Sequence, residues 1–161
     1  MAAVDYFLKI DTIPGESTKK GHTGELEITS WSWGESNTGS MAGNTGGGSG
    51  KVSMQDFHFT IPMNVASPKI MLACATGQHI PTAILICRKA GTEQQEYLKI
   101  TFSDVLISSY HVGGSHADVI PGDQCSFNFT KIEMGYKPQD AKGQLGAEVK
   151  TGYDLKQMQK V

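Results

Sequence analysis

The sequence predicts a mainly β protein, a barrel or sandwich of about seven strands whose long members curl, with one short α-helix. Three observations carry this reading: apolar residues alternate with polar ones through most of the chain, helical spacing led by a proline occurs once, and glycine-bearing polar stretches separate the alternating runs. A period of two marks strands that bury one face.

Residues 4–10 open as a strand, Pro14-Gly15-Glu16-Ser17 turns it, and residues 19–24 form a polar loop. The next strand spans residues 25–33. Its apolar residues move from even positions (Leu26, Ile28) to odd ones (Trp31, Trp33), which predicts a β-bulge near Thr29-Ser30. Residues 37–50 hold Gly39, Gly43 and the run Gly46-Gly47-Gly48-Ser49-Gly50, a low-complexity stretch with too little apolar surface to offset its ordering entropy. Residues 51–61 return as a strand with Phe57, Phe59 and Ile61 on one face. Ser67 then reads as an N-cap with Pro68 at the first helical position, so a helix is expected over residues 67–77, ending at Gly77. Strands over residues 80–89 and 97–110 follow, joined by a polar hairpin at 90–95. The consecutive Ile84, Leu85 and Ile86 predict a strand covered on both faces. A glycine-bearing loop at 112–122 leads to Cys125, Phe127 and Phe129, then to Ile132, Met134 and Tyr136 on the opposite parity, predicting a second bulge near Thr130-Lys131. Tyr153 and Leu155 place a last strand within residues 149–158.

Composition bounds the function. The 161 residues fit a single domain, 1–161, at a typical ~100–150 residues per domain. A net charge of -2 lacks the cationic field that drives nucleic-acid binding, and no window approaches the ~18 uninterrupted apolar residues of a membrane helix. Neither nucleic acid nor membrane insertion is expected. Asp5 and Lys9 interrupt the apolar start, so no cleaved secretory signal is expected. Cys74, Cys87 and Cys125, widely spaced, read as reduced thiols in the core of a cytosolic protein.

Tests for chemistry are largely negative. Gly46 to Lys51 resembles a phosphate-binding loop, but position 45 is threonine, position 52 is valine, and a strand follows where a helix should. Gly113-Gly114-Ser115-His116-Ala117 lacks the last glycine of a nucleophile elbow. His111 and His116, with Asp118 and Asp123, could supply metal ligands, but their spacing is not a recurrent zinc pattern and a solvated loop is the plainer reading. No metal, cofactor or catalytic residue is expected. His58 alternates with Phe57 and Phe59 as a polar-face residue, and Trp31 and Trp33 read as core or interface anchors rather than a ligand platform. A small-ligand-binding β-barrel, monomeric with an apolar interior pocket, stands as the alternative; an enzyme using the 111–123 loop is a weaker one.

The order of segments adds more. Gly15-Glu16-Ser17, His22 and Trp31-Ser32-Trp33-Gly34 precede a glycine-rich loop that ends in Gly50-Lys51-Val52. Ser67-Pro68, Ala73-Cys74-Ala75-Thr76-Gly77, Arg88-Lys89-Ala90-Gly91, Glu96-Tyr97-Leu98, Val105 to Ser109 and Gly152-Tyr153-Asp154-Leu155 follow. This series resembles the Hcp (hemolysin-coregulated protein) family of type VI secretion systems over nearly the whole chain, departing at Tyr153, where family members often carry tryptophan. The resemblance implies a small β-barrel of two curled antiparallel sheets with one flanking α-helix, assembling as a homo-hexameric ring. Rings stack into a tube that a contractile sheath and a spike (valine-glycine repeat) protein drive outward, and the lumen holds secreted effectors. The protein would be cytoplasmic before firing and exported without a signal peptide. Thr29 and Ser32 correspond to lumen-facing positions, and the loop with Ser40, Met41, Gly46, Gly47 and Gly48 is expected to make ring or stacking contacts.

Overall fold

The computed structural model describes residues 4–42, 50–89 and 94–161. Strands β1 (Val4–Ile10), β2 (Leu26–Ile28), β3 (Ser30–Ser32), β4 (Glu35–Asn37), β5 (Val52–Met54) and β6 (Phe57–Pro62) precede helix α1 (Ser67–Thr76). After it come β7 (Ile80–Lys89), β8 (Glu96–Gly113), β9 (Gly122–Asn128), β10 (Lys131–Tyr136), β11 (Val149–Asp154) and β12 (Gln159–Lys160). All pairings are antiparallel, and the long strand β8 belongs to two curled sheets. One has the order β12-β11-β10-β8-β7-β1-β2; the other runs β3-β6-β9-β8. The path ends at β2 and β12 without closing, so the barrel consists of two sheets folded over one core.

Neither β-bulge expected from the parity changes forms: at Thr29 and near Thr130 one strand ends and the next begins in the other sheet. Ile28 pairs with β1, Ser30 pairs with β6, and the Thr29 N–H between them donates to the Thr60 carbonyl at 2.8 Å. At the other corner Asn128 pairs with Leu106 and Lys131 with Ser103, while the Thr130 N–H donates to the Ser103 carbonyl at 3.0 Å. Strand β8 turns there through Asp104, whose φ of 54° is held by hydrogen bonds from the Thr130 hydroxyl at 2.8 Å and with the His79 ring at 2.9 Å.

Between the sheets lies an aromatic cluster. The Phe57 ring sits 5.0 Å from both Phe102 and Phe127, and Phe102 meets Phe129 at 4.9 Å. From the larger sheet, Leu26, Leu8, Leu85 and Ile100 form one cross-strand row of buried side chains against this cluster. Helix α1 buries Ile70 and Ala73 and ends at Gly77, whose φ of 65° suits glycine.

Four further expectations are corrected. The expected strand over 51–61 is two elements: β5 pairs with β4 as a separate two-stranded arm, and β6 enters the sheet only at Phe57. Ser67 is not the helix cap; its hydroxyl donates to buried Asp123 at 2.5 Å, while Asn64 Oδ1 accepts the Ala66 N–H at 2.8 Å. Ile84 and Ile86 are half-buried, because the outer face of β7 lacks a covering layer over its full length. The last expected strand is a β11–β12 hairpin, turned through residues 155–158.

Cys87 and Cys125 are buried in the core, and burial pushes both thiols up to about 12. Cys74 is half-buried. Iodoacetamide at pH 8 is therefore expected to label Cys74 in the folded protein, and Cys87 and Cys125 only once urea unfolds it. Rapid labelling of all three without denaturant would contradict this core packing.

Candidate functional site

The four-stranded sheet buries one face and presents the other to solvent, and alternation decides which residues stand there. Register aligns the outward face in two rows, in which Ser126 is itself buried beneath its neighbours. One runs Ser32, His58, Ser126, Ser109; the next runs Ser30, Thr60, Gln124, His111. On the opposite face Trp31, Phe59, Cys125 and Tyr110 form the matching inward row. All eight outer positions are short or neutral polar side chains; none carries a formal charge with histidine neutral.

The hydroxyls are locked to one another. The Thr60 hydroxyl lies 2.6 Å from those of Thr29 and Ser30. A register shift in β8 leaves Ser108 as an extra residue, and Ser108 and Ser109 flank the Ser126 hydroxyl at 2.8 and 2.5 Å. Ser108 in turn donates to Asp56 at 2.6 Å. The eight positions thus form an uncharged polar wall, half of it tied by hydrogen bonds, with the Asp56 carboxylate at its margin beside Ser108. Among the described residues no strand pairs with either outer edge: β3 pairs only with β6, and β8 beyond Val105 pairs only with β9, with helix α1 packed against β8.

Of the sequence-expected residues, Ser32 stands on this face and Thr29 at its sheet-crossing corner, both exposed. Ser40 and Met41 lie beyond the β4–β5 arm, away from the wall, with Met41 88% exposed. Gly46, Gly47 and Gly48 lie outside the described residues. The loop carrying His111, His116, Asp118 and Asp123 does not gather them: His111 faces outward on β8, whereas Asp123 is buried on the other face, accepting from Ser67 and from the Tyr110 hydroxyl at 3.1 Å. Among the described residues no three His, Cys, Asp or Glu side chains come together to hold a metal ion.

A second polar cluster, which the sequence analysis does not assemble, lies on the outer face of the larger sheet. Phe7 points away from the core there, and the loop between β1 and β2 covers it. The His22 ring stacks on Phe7 at 4.1 Å, and the Arg88 guanidinium sits 4.7 Å from the same ring. His22 Nδ1 lies 2.7 Å from Glu25 and Nε2 2.7 Å from Glu96; Lys19 bridges Asp5 at 3.0 Å and Glu27 at 3.1 Å.

Burial acts to raise the Asp5 pKa, but hydrogen bonds and charge from Lys19 and Arg88 outweigh it and hold the carboxyl below its ordinary 3.8. A hydrogen bond with His79, then one from Thr130, holds Asp104 below its ordinary value too. A depressed carboxyl contributes stability above its unfolded pKa and loses it as pH falls through the folded one. Urea midpoints are therefore expected to fall below about pH 4, with a shallower fall in Asp5→Asn. Identical pH slopes for the two proteins would remove Asp5 from the account.

The comparisons agree with this architecture. The family described as "Type VI secretion system effector, Hcp" matches residues 7–136. Protein hcp1 of Pseudomonas aeruginosa is 44% identical over 157 residues, covering 96% of this chain and 97% of its own. The crystal structure of Hcp1 from Salmonella typhimurium superposes with a TM-score of 0.81 at 33% identity, covering 99% of this chain and 100% of that one. A solved type six secretion system protein reaches a TM-score of 0.93 at 29% identity, with the same coverage of both chains.

Proposed function

This chain belongs to the Hcp family of type VI secretion proteins, and from that premise we propose that it is the subunit of a hexameric ring whose stacked copies form the secreted inner tube. The family is one of secretion-system proteins and not of enzymes. The observation that carries the reading is the polar sheet face whose two outer edges have no strand partner among the described residues. A ring of identical subunits uses a heterologous contact that closes, and joining the β3 edge of one copy to the distal β8 edge of the next satisfies the exposed strand groups. The eight-residue wall then repeats around a lumen, with Ser32 and Thr29 facing its contents.

In this reading the lumen accepts secreted effectors, Ser40 and Met41 on the arm contact neighbouring copies, and the contractile sheath and spike act on the assembled tube. The protein is made in the cytoplasm and leaves through the secretion machine. No helix among the described residues is long and apolar enough to cross a membrane. The ligand-binding barrel is disfavoured because the Phe57, Phe102, Phe127 and Phe129 rings fill the space between the sheets.

Light scattering of the untagged protein across a concentration series, with negative-stain imaging of the largest species, tests the proposal. A species of six protomer masses with a central hole is expected. A monomer at every concentration would overturn it.

A further inference from the structure

Of the five histidines, His22 alone is buried, and both of its ring nitrogens are engaged. Nδ1 lies 2.7 Å from Glu25 Oε2 and Nε2 lies 2.7 Å from Glu96 Oε1. An ionised carboxylate only accepts hydrogen bonds, whereas a neutral imidazole has one N–H and one lone pair. A neutral ring therefore satisfies one of these contacts and turns its lone pair on the other carboxylate. Two contacts of this length take two N–H groups, so the closed site carries an imidazolium.

We propose that His22 is a proton-operated latch: its imidazolium clamps the β1–β2 loop to the start of β8, and loss of the proton opens the loop and uncovers Phe7. The latch is a property of the single subunit and goes beyond the ring reading without depending on it. Opening would leave Phe7, now 0% exposed, beside half-buried Ile86, its cross-strand neighbour, as an apolar patch on the outer face of the larger sheet.

The surroundings favour the cation. Glu25 faces the ring from its own loop and Glu96 from β8, while Asp5 of β1 and Glu27 of β2 bring two more carboxylates to the cluster. The ion pairs described there set Arg88 of β7 and Lys19 of the loop against these four, so the imidazolium supplies a third cation. Lys20 meets the cluster through its carbonyl, which accepts from Arg88 at 3.2 Å. On the same outer face Lys9 lies one row from Phe7 and Lys99 two strands away. The His22 ring also lies flat on Phe7, 4° from parallel at 4.1 Å, which sets the cation over an aromatic face. The closed site holds a proton that an unfolded histidine gives up above its ordinary value of about 6.5. The latch thus contributes fully below that pH, and its contribution drains away as pH rises.

Glu96→Gln tests the assignment, because the Glu96 side chain is 50% exposed and a glutamine amide can donate to the Nε2 lone pair of a neutral ring. Urea unfolding is followed from about pH 6 to about pH 9 below ring-forming concentrations. The parent's unfolding constant is expected to rise with pH, by up to roughly tenfold per unit for one proton, that of Glu96→Gln less steeply, and that of His22→Gln to stay nearly level. Trypsin reads the loop directly, since Lys19 and Lys20 lie in it. Cleavage there in the parent, divided by cleavage in Glu96→Gln at the same pH, is expected to climb as pH rises. Parallel unfolding profiles for the parent and Glu96→Gln, a His22→Gln profile with the parent's slope, or a cleavage ratio that does not move with pH would each overturn the latch.

Discussion

Replacing His22 with alanine is expected to lower the unfolding free energy by about 3–5 kcal/mol, the cost of stripping a partner from a buried charged group. Phe7 registers with Ile86 on the outer face of the larger sheet, so its ring is dry only because the β1–β2 loop covers it. His22 is 2% exposed and is the piece of that loop in direct stacking contact. Alanine would remove the stack on Phe7 and leave buried Glu25 without its 2.7 Å partner, while Glu96, 74 residues away, would lose the tie between the start of β8 and the loop. Glutamine can keep one of the two carboxylate contacts but not the ring stack, so His22→Gln should fall between. Urea denaturation checks this through the midpoint at an unchanged slope. A shift of less than about 0.5 kcal/mol for the alanine variant, the ordinary range of surface substitutions, would mean that the cluster decorates the fold without holding it.

The sequence states the alternation of each strand plainly but not which strand lies beside which. The even-to-odd change at Thr29 identifies the corner between sheets, and the change at Thr130 identifies the other. An equal signal separates Val52 and Met54 from Phe57, Phe59 and Ile61. It marks the break at Gln55-Asp56 that detaches the arm, and a single strand over 51–61 overlooks it. Ile84 and Ile86 mislead in the opposite sense: three consecutive apolar residues suggest two buried faces, yet the covering loop shelters Phe7 and reaches no further along the sheet. The polar wall is partly legible, since Ser32 and His58 alternate with aromatic neighbours. Its joining of Ser108 and Ser109 to Ser126 depends on the register shift in β8, a tertiary fact with no local signature. The His22 cluster lies furthest from reach, because a buried histidine is intelligible only beside carboxylates that the fold brings to it.

Replacing Phe57 with alanine is expected to cost about 3–5 kcal/mol through lost burial and the cavity left behind, and Phe57→Leu markedly less. The side chain is fully buried and its ring meets Phe102, Phe127, Phe59 and Trp31, so it joins residues of β8, β9, β6 and β3 across the interior. Little can collapse into the space it vacates, because its neighbours are rigid rings held by two sheets. At roughly 2–4 °C per kcal/mol for a chain of this size, thermal unfolding should fall by about 6–20 °C. Phe57 also begins β6 immediately after the arm, directly before His58 of the polar wall, so the substitution separates two explanations of any assembly defect. Ring formation stabilises the folded subunit by mass action; a defect caused by instability should therefore shrink as protein concentration rises and follow the order Phe57→Leu, then Phe57→Ala. A defect at a contact surface behaves differently: Met41→Asp, on a side chain 88% exposed, should keep the parent's unfolding midpoint measured below ring-forming concentrations and lose assembly alone. If Phe57→Ala unfolds with the parent's midpoint, the aromatic cluster is not what holds the two sheets together.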